Sequence, residues 1–236
     1  MSILKVTAYI STPIVMRNEV HLDGLLMWAA TQGRDDSTQL QRGISLKDMS
    51  EVSIPVQKVT AQGHSIYAAT GSQLHNPTRY EHRWTRRRDA GDINRLAKRY
   101  VPGFGPGRDL NRRAPGASTS HVQWLVSSTD DHQVGRLLNL VTALGSLRSH
   151  GCGEISMWEI EEADLSLTDC FVQSGRAMRS LPVDWVVEAS TVRRLACAPP
   201  YWHPENHIVS VPMGAECSLL QKVINQFEVN NACFST

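Results

Sequence analysis

An α+β fold is predicted by three features. Apolar and polar residues alternate at the start of the chain. Two later stretches carry apolar residues at helical spacing. These elements follow one another in the order strand, helix, strands, helix, strand.

Leu4, Val6, Ala8 and Ile10 alternate with Lys5, Thr7, Tyr9 and Ser11, a half-buried strand stopped by Pro13. In HLDGLLMWAATQG, Leu22, Leu25, Leu26 and Ala29 share one helical face. Gly33 suits the C′ position, and Asp23 suits the first turn, where the helix dipole favours an acid. Residues 52–59 and 65–72 read as two strands joined by a turn at Gln62-Gly63, and a basic segment follows. HVQWLV is a further strand. In VGRLLNLVTALG, the residues Val134, Leu137, Leu138, Val141 and Leu144 predict a second helix. Thr129, Asp130 and Asp131 supply capping groups, and Gly145 a left-handed C′. The loop SLRSHGCG leads into a strand around EISMWEI. With one strand extra, this is the ferredoxin-like βαββαβ plan over residues 1–160, carrying a long basic insertion before the strand that precedes the second helix. From 161 to 236 the pattern is less periodic. Strands near 183–189 and 207–211, a Pro-rich bend at APPYWHP and a helix near 218–228 predict a smaller C-terminal subdomain packed on the first.

The 236 residues make one large domain or two small ones, and 41% apolar content excludes a disordered chain. No apolar run approaches the roughly 20 residues that span a bilayer, so no membrane partner is expected. MSILKVTAYI lacks the features of a signal peptide. The five cysteines are widely spaced, odd in number and free of any C-x-x-C pair. That argues against a disulfide framework or zinc ribbon and fits a reducing cytoplasm.

Charge is sorted along the chain. Between Arg79 and Arg113 stand 11 Arg or Lys against four Asp or Glu, a net +7; the whole chain is +1, so the remainder is −6. Arg79, Arg83, Arg86, Arg87, Arg88, Lys98, Arg99, Arg112 and Arg113 are candidate phosphate contacts. Tyr80, His82, Trp84, Tyr100 and Phe104 lie among them. Guanidinium forks suit phosphate oxygens, and interleaved rings stack unpaired bases, so the mixture favours single-stranded nucleic acid over a duplex groove. The alternative is a solvated charged face, with acids such as Asp89 and Asp92 pairing locally with the arginines. VPGFGPGRD has no G-K-[ST] ending and is not a nucleotide-binding P-loop.

The second candidate element is LGSLRSHGCGE, between a helix end and a strand. Gly145, Gly151 and Gly153 permit close backbone approach, and Ser146, Arg148, Ser149 and His150 add donors. A tight helix-to-strand connection is the alternative. This stretch, VTALGSLRSHGCGEI, resembles the glycine-rich loop of the CRISPR RAMP superfamily of RNA-binding proteins. STPIV…HLDGLLMWA resembles the start of the Cas-five-type subunit of type IV CRISPR effector complexes, and the resemblance covers mainly residues 1–160.

The resemblance implies a subunit that caps the guide RNA at its five-prime, repeat-derived handle. It implies a RAMP core gripping the handle through residues 145–153. A thumb-like insertion at 79–117 would meet a Cas-seven-type backbone subunit and kink the RNA. The implied neighbours are a Cas-eight-like large subunit, target DNA near the complex and, in some systems, a DinG-type helicase. No cofactor is expected.

Chemistry is less well marked. Metal-independent RNA cleavage by a histidine base is the alternative function, with His21, His82 and His150 in or near the candidate elements and Tyr80 close to His82. A small-molecule enzyme on the same scaffold is a third reading, unsupported by any cofactor motif. Cys197, His203 and His207 sit in a proline-rich stretch that reads as a turn rather than a zinc site.

Overall fold

A computed structural model describes residues 2–16, 18–32, 52–86 and 110–232. In chain order these form β1 (Ser2–Ile10), α1 (Leu22–Gln32), β2 (Lys58–Ala61), β3 (His64–Tyr67), β4 (Gln73–Leu74), β5 (Thr78–Arg86), β6 (Leu110–Ser118), β7 (His121–Ser128), α2 (Asp131–Leu138) and β8 (Ile155–Glu162). The C-terminal part adds β9 (Val172–Gln173), β10 (Arg176–Ala177), β11 (Leu181–Pro182), β12 (Val186–Ala189), β13 (Arg193–Ala196), β14 (His207–Val211), β15 (Cys217–Leu219) and α3 (Gln221–Ala232). Gly33 lies outside the described residues. Among those described, no helix is long and apolar enough to cross a membrane.

The main sheet runs β4-β7-β1-β8, with every neighbouring pair antiparallel. This mixed α+β arrangement is compatible with a ferredoxin-like plan. The alternation read in β1 holds for its central apolar residues, although Thr7 on the other face is buried too. Leu4, Val6 and Ala8 pack with Leu22 and Leu26 of α1, Val134 and Leu138 of α2, and Trp124 of β7. Trp124 satisfies its indole N–H on the Val20 carbonyl at 2.8 Å. Each such buried aliphatic side chain is worth about 1.5–3 kcal/mol of transfer free energy.

Two expected elements differ in extent. The turn at Gln62-Gly63 is present, both residues having positive φ (48° and 79°), as a two-residue hairpin loop requires. Its strands β2 and β3, however, form a separate ribbon instead of entering the main sheet. The run continuing to residue 72 is interrupted where the Thr70 hydroxyl accepts from the Leu125 N–H and the Gly71 N–H donates to the Met178 carbonyl. Ala69 bridges Val126 of β7, and beyond the interruption Gln73 and Leu74 pair with β7 as well.

The second helix begins as expected, with the Asp130 carboxylate accepting from the Gln133 N–H at 2.9 Å. It ends at Leu138, well before Gly145. Residues 141–144 lie along the start of β8 instead: Leu144 N–H donates to Gly153, Ile155 N–H to Thr142, and the Trp158 indole to Val141. Val141 and Leu144 are still buried, so their apolar spacing reports burial rather than helix.

A second core fills the space between the β2–β3 ribbon and the C-terminal elements. Phe171, Trp185 and Phe227 pack with ring centroids 5.0–5.7 Å apart, beside Ile66 and Leu125. The strands expected near 183–189 and 207–211 are β12 and β14, and the expected helix is α3.

Asp23 lies in the first turn of α1 as expected, and it does more there than complement the helix dipole. It is fully buried, pairs with Arg179 (3.3 Å) and accepts from the Tyr201 hydroxyl at 2.8 Å. Arg179 also donates to the carbonyls of Tyr67, Ala69 and Cys197. One guanidinium thereby ties α1, the 67–69 segment and the C-terminal part together.

Candidate nucleic-acid interface

The two ends of the basic segment form a hairpin that no hydrophobic periodicity announced. β5 and β6 pair in unbroken register from Thr78↔Ser118 to Arg86↔Leu110. Because side chains alternate across a strand, Tyr80, His82 and Trp84 share one face, with Arg112 opposite Trp84. Arg79, Glu81 and Arg83 share the other, with Arg113 opposite Arg83. Two arginines facing each other repel; Glu81 offsets this by pairing with Arg83 and, at 3.9 Å, with Arg113.

The glycine loop is held against the segment that follows β1. Ser146 N–H donates to Val15 (2.7 Å) and Gly153 N–H to Pro13 (2.9 Å). A Cβ at Gly145 would lie 2.5 Å from the Val15 carbonyl oxygen, and one at Gly153 would strike the Leu144 carbonyl; both residues have positive φ. These glycines are therefore required by backbone packing. The Gly151 N–H donates within the loop to Arg148. Arg148, Ser149, His150 and Gly151 are exposed, as is Ser146, while Gly153 is buried.

The hairpin is fixed to the same segment from the other side. Ile14 and Ala117 exchange two backbone hydrogen bonds of 2.8 Å, and a Cβ on Gly116 would lie 2.5 Å from the Ile14 carbonyl oxygen. Residues 13–15 thus hold hairpin and loop side by side, and their rings meet. His150 lies 5.7 Å from Trp84 and 6.1 Å from His82, centroid to centroid, and His82 lies 5.7 Å from Trp84. Tyr80 adds its hydroxyl 3.4 Å from His82 Nδ1, and the Cys152 thiol lies 3.5 Å from the same nitrogen. Burial pushes the Cys152 thiol above its ordinary value, which keeps it protonated at neutral pH.

The result is a cluster of four rings, three half-buried and His150 exposed, flanked by exposed cations. Arg79, Arg83, Arg112 and Arg113 stand exposed on the hairpin, and Arg148 on the loop lies over the Trp28 ring at 5.6 Å. Arg86 pairs at the last described rung. Arg87, Arg88, Lys98 and Arg99, with Tyr100, Phe104, Asp89 and Asp92, lie outside the described residues.

His21 does not join the cluster. It is buried, stacks on Tyr201 at 4.4 Å, and is pushed down to about 3 by burial and by the Arg179 charge. Cys197 is buried beside Ser210 (3.1 Å), and His207 Nδ1 lies 2.9 Å from the His203 carbonyl oxygen. Among the described residues, no group of three His, Cys, Asp or Glu is placed to hold a metal. Two contributors escaped the sequence reading, Trp28 and Cys152. Trp28 falls off the apolar face formed by Leu22, Leu25, Leu26 and Ala29, which was its one available signal.

The chain matches no family model and no curated protein. Among solved structures it is similar to a CRISPR protein from Archaeoglobus fulgidus, at 13% identity over 92% of this chain and 91% of that chain, with a TM-score of 0.39.

Proposed function

We propose that this chain is a non-catalytic RNA-binding subunit of a type IV CRISPR ribonucleoprotein. It caps the five-prime repeat-derived handle of the guide RNA and nucleates backbone assembly. In this reading residues 1–160 are a ferredoxin-like βαββαβ RAMP core, 79–117 its thumb and 161–236 a C-terminal subdomain. Cas-seven-type and Cas-eight-like subunits, target DNA and a DinG-type helicase are its neighbours in the assembly.

The observation that supports it best is the meeting of the two elements in one surface. Tyr80, His82 and Trp84 of the hairpin adjoin His150 of the glycine loop, with Arg112 and Arg148 exposed beside them. Rings that stack bases, set among guanidinium groups that neutralise phosphates, are what a single strand needs. A second reading, metal-independent guide-RNA cleavage, draws on the same geometry. Two imidazoles 6.1 Å apart with a tyrosine hydroxyl alongside could divide acid and base roles on a 2′-OH.

One experiment separates them: incubation of the protein with its repeat RNA in EDTA, reading both retention and cleavage. The proposal expects binding without cleavage. Trp84→Ala should weaken it by the roughly 1–3 kcal/mol that base stacking contributes. Arg112→Ala should lower the salt slope by about 0.7. Discrete cleavage abolished by His82→Ala or His150→Ala would establish the second reading. Absence of RNA affinity at low salt, alone or with partner subunits, would dismiss both.

A further inference from the structure

A cleft of about 650 Å³ opens between α1 and the Pro199–Trp202 turn. A smaller hollow of about 370 Å³ lies between α1 and the glycine loop, and the two share Asn18, Val20, Leu25 and Trp28. Through these shared residues the two adjoin along α1, and together their linings run from Arg148, past Trp28, to Trp202. Its floor is rigid. Tyr201 is tethered to Asp23 and Arg179 and stacks on His21. Its rim carries two exposed rings, Trp202 (62% exposed) and Trp28 (37%). Exposed tryptophans of this size are unusual on a surface with no partner.

The charge of the depression is also specific. Among the described residues Glu19 is its single acid, against Arg193 at one end and Arg148 at the other. The larger cleft lies within the size range of ligand pockets and is mainly apolar with a few polar groups. A ring flanked by phosphate fits such a site; a purely apolar peptide would leave both arginines unused.

We infer that the RNA strand held at the hairpin and glycine loop continues along α1 and seats a second unpaired base in this cleft, against Trp202, with Arg193 on an adjoining phosphate. This rests on the RNA-binding reading and extends it to residues that neither candidate element contains.

The test uses the full chain and an end-labelled oligouridylate of roughly 16 nucleotides, long enough to reach beyond the loop, alongside the repeat RNA, with fluorescence anisotropy as readout. Trp202→Ala should bind about tenfold more weakly. Arg193→Ala should lower the salt slope by about 0.7. Thermal unfolding of both variants should match wild type, since both side chains are surface-exposed. If wild type binds, Trp84→Ala weakens binding, and both cleft variants bind as wild type does, the cleft is off the RNA path. The inference then fails while the RNA-binding reading stands, and the cleft is left to a protein partner. If wild type binds neither RNA, the reading itself fails and takes the inference with it.

Discussion

Asp23→Asn should destabilise the fold far more than loss of one acid usually does. Asp23 and Arg179 are both wholly inaccessible, with the ion pair at 3.3 Å. The carboxylate accepts from Arg179 and, with both oxygens, from the Tyr201 hydroxyl. Asparagine keeps the shape but turns a donor toward donors and leaves the guanidinium charge unpaired. Breaking a buried pair from one side costs about 3–5 kcal/mol, against about 0–1 kcal/mol for a surface pair. For a chain of this length each kcal/mol moves Tm by about 2–4 °C, so the expected fall is roughly 6–20 °C. Urea unfolding followed by tryptophan fluorescence reads this directly, because Trp124 and Trp185 are fully buried. The paired variant Asp23→Leu with Arg179→Met adds a second discrimination. A simple ion pair replaced by apolar groups is often neutral. Here the Ala69 and Cys197 carbonyls would also lose their arginine donor, at about 1–3 kcal/mol each, so the double variant should not recover stability. A loss below about 1 kcal/mol for Asp23→Asn, or a double variant as stable as wild type, would refute the view of Arg179 as a clamp on three backbone segments.

Two further predictions follow from other buried positions. His21 titrates at about 3 when folded against an ordinary 6.5, so the unfolded chain binds the proton more tightly. Its contribution to stability is complete above pH 6.5 and is lost as pH falls from 6.5 toward 3, by about 1.4 kcal/mol per pH unit. His21→Phe retains a ring against Tyr201 and removes the unpartnered Nδ1, so unfolding curves between pH 7.5 and 4.5 should show a shallower acid loss than wild type; equal slopes would mean the ring is not held neutral. In the glycine loop, Gly153→Ala forces a Cβ onto the Leu144 carbonyl, whereas Gly151→Ala meets open space and pays only for its left-handed φ of 75°, about 1–2 kcal/mol. Denaturation midpoints should rank Gly151→Ala well above Gly153→Ala, and the reverse order would overturn the packing account.

The sequence made legible those features that depend on side-chain period and on local turn chemistry. The β1 alternation, the α1 stripe, the Asp130 cap and the Gln62-Gly63 turn are present where spacing placed them. What escaped depends on tertiary pairing. Val141 and Leu144 carry helical spacing, yet residues 141–144 bond to residues 153–158, through two backbone hydrogen bonds and the Trp158 indole. Asp23 looks like an acid for a helix terminus, and only Arg179, 156 residues away, makes it a buried anchor. In the basic segment, charge concealed a strand pair: Tyr80, His82 and Trp84 alternate with Arg79, Glu81 and Arg83, a period of two written in polar residues, to which a hydrophobic pattern is blind.

The juxtaposition of hairpin and loop has a backbone cause, which explains why two candidate elements so far apart in sequence form one surface. Residues 13–15 offer carbonyls on both sides, Ile14 to Ala117 and Pro13 and Val15 to the loop. The Ile14 and Val15 carbonyls leave no room for a Cβ at Gly116 and Gly145, and the Leu144 carbonyl leaves none at Gly153. Gly151 differs, since nothing crowds it and it sits in the exposed tip between His150 and Cys152. The loop's glycines therefore divide by role. Two fix the loop to the body and one shapes the tip that presents Arg148, Ser149 and His150. Substitution at the first two should disturb the position of His150 against Trp84, and so the RNA affinity proposed for this surface, only by way of lost stability. Substitution at Gly151 should alter the tip while leaving the fold in place.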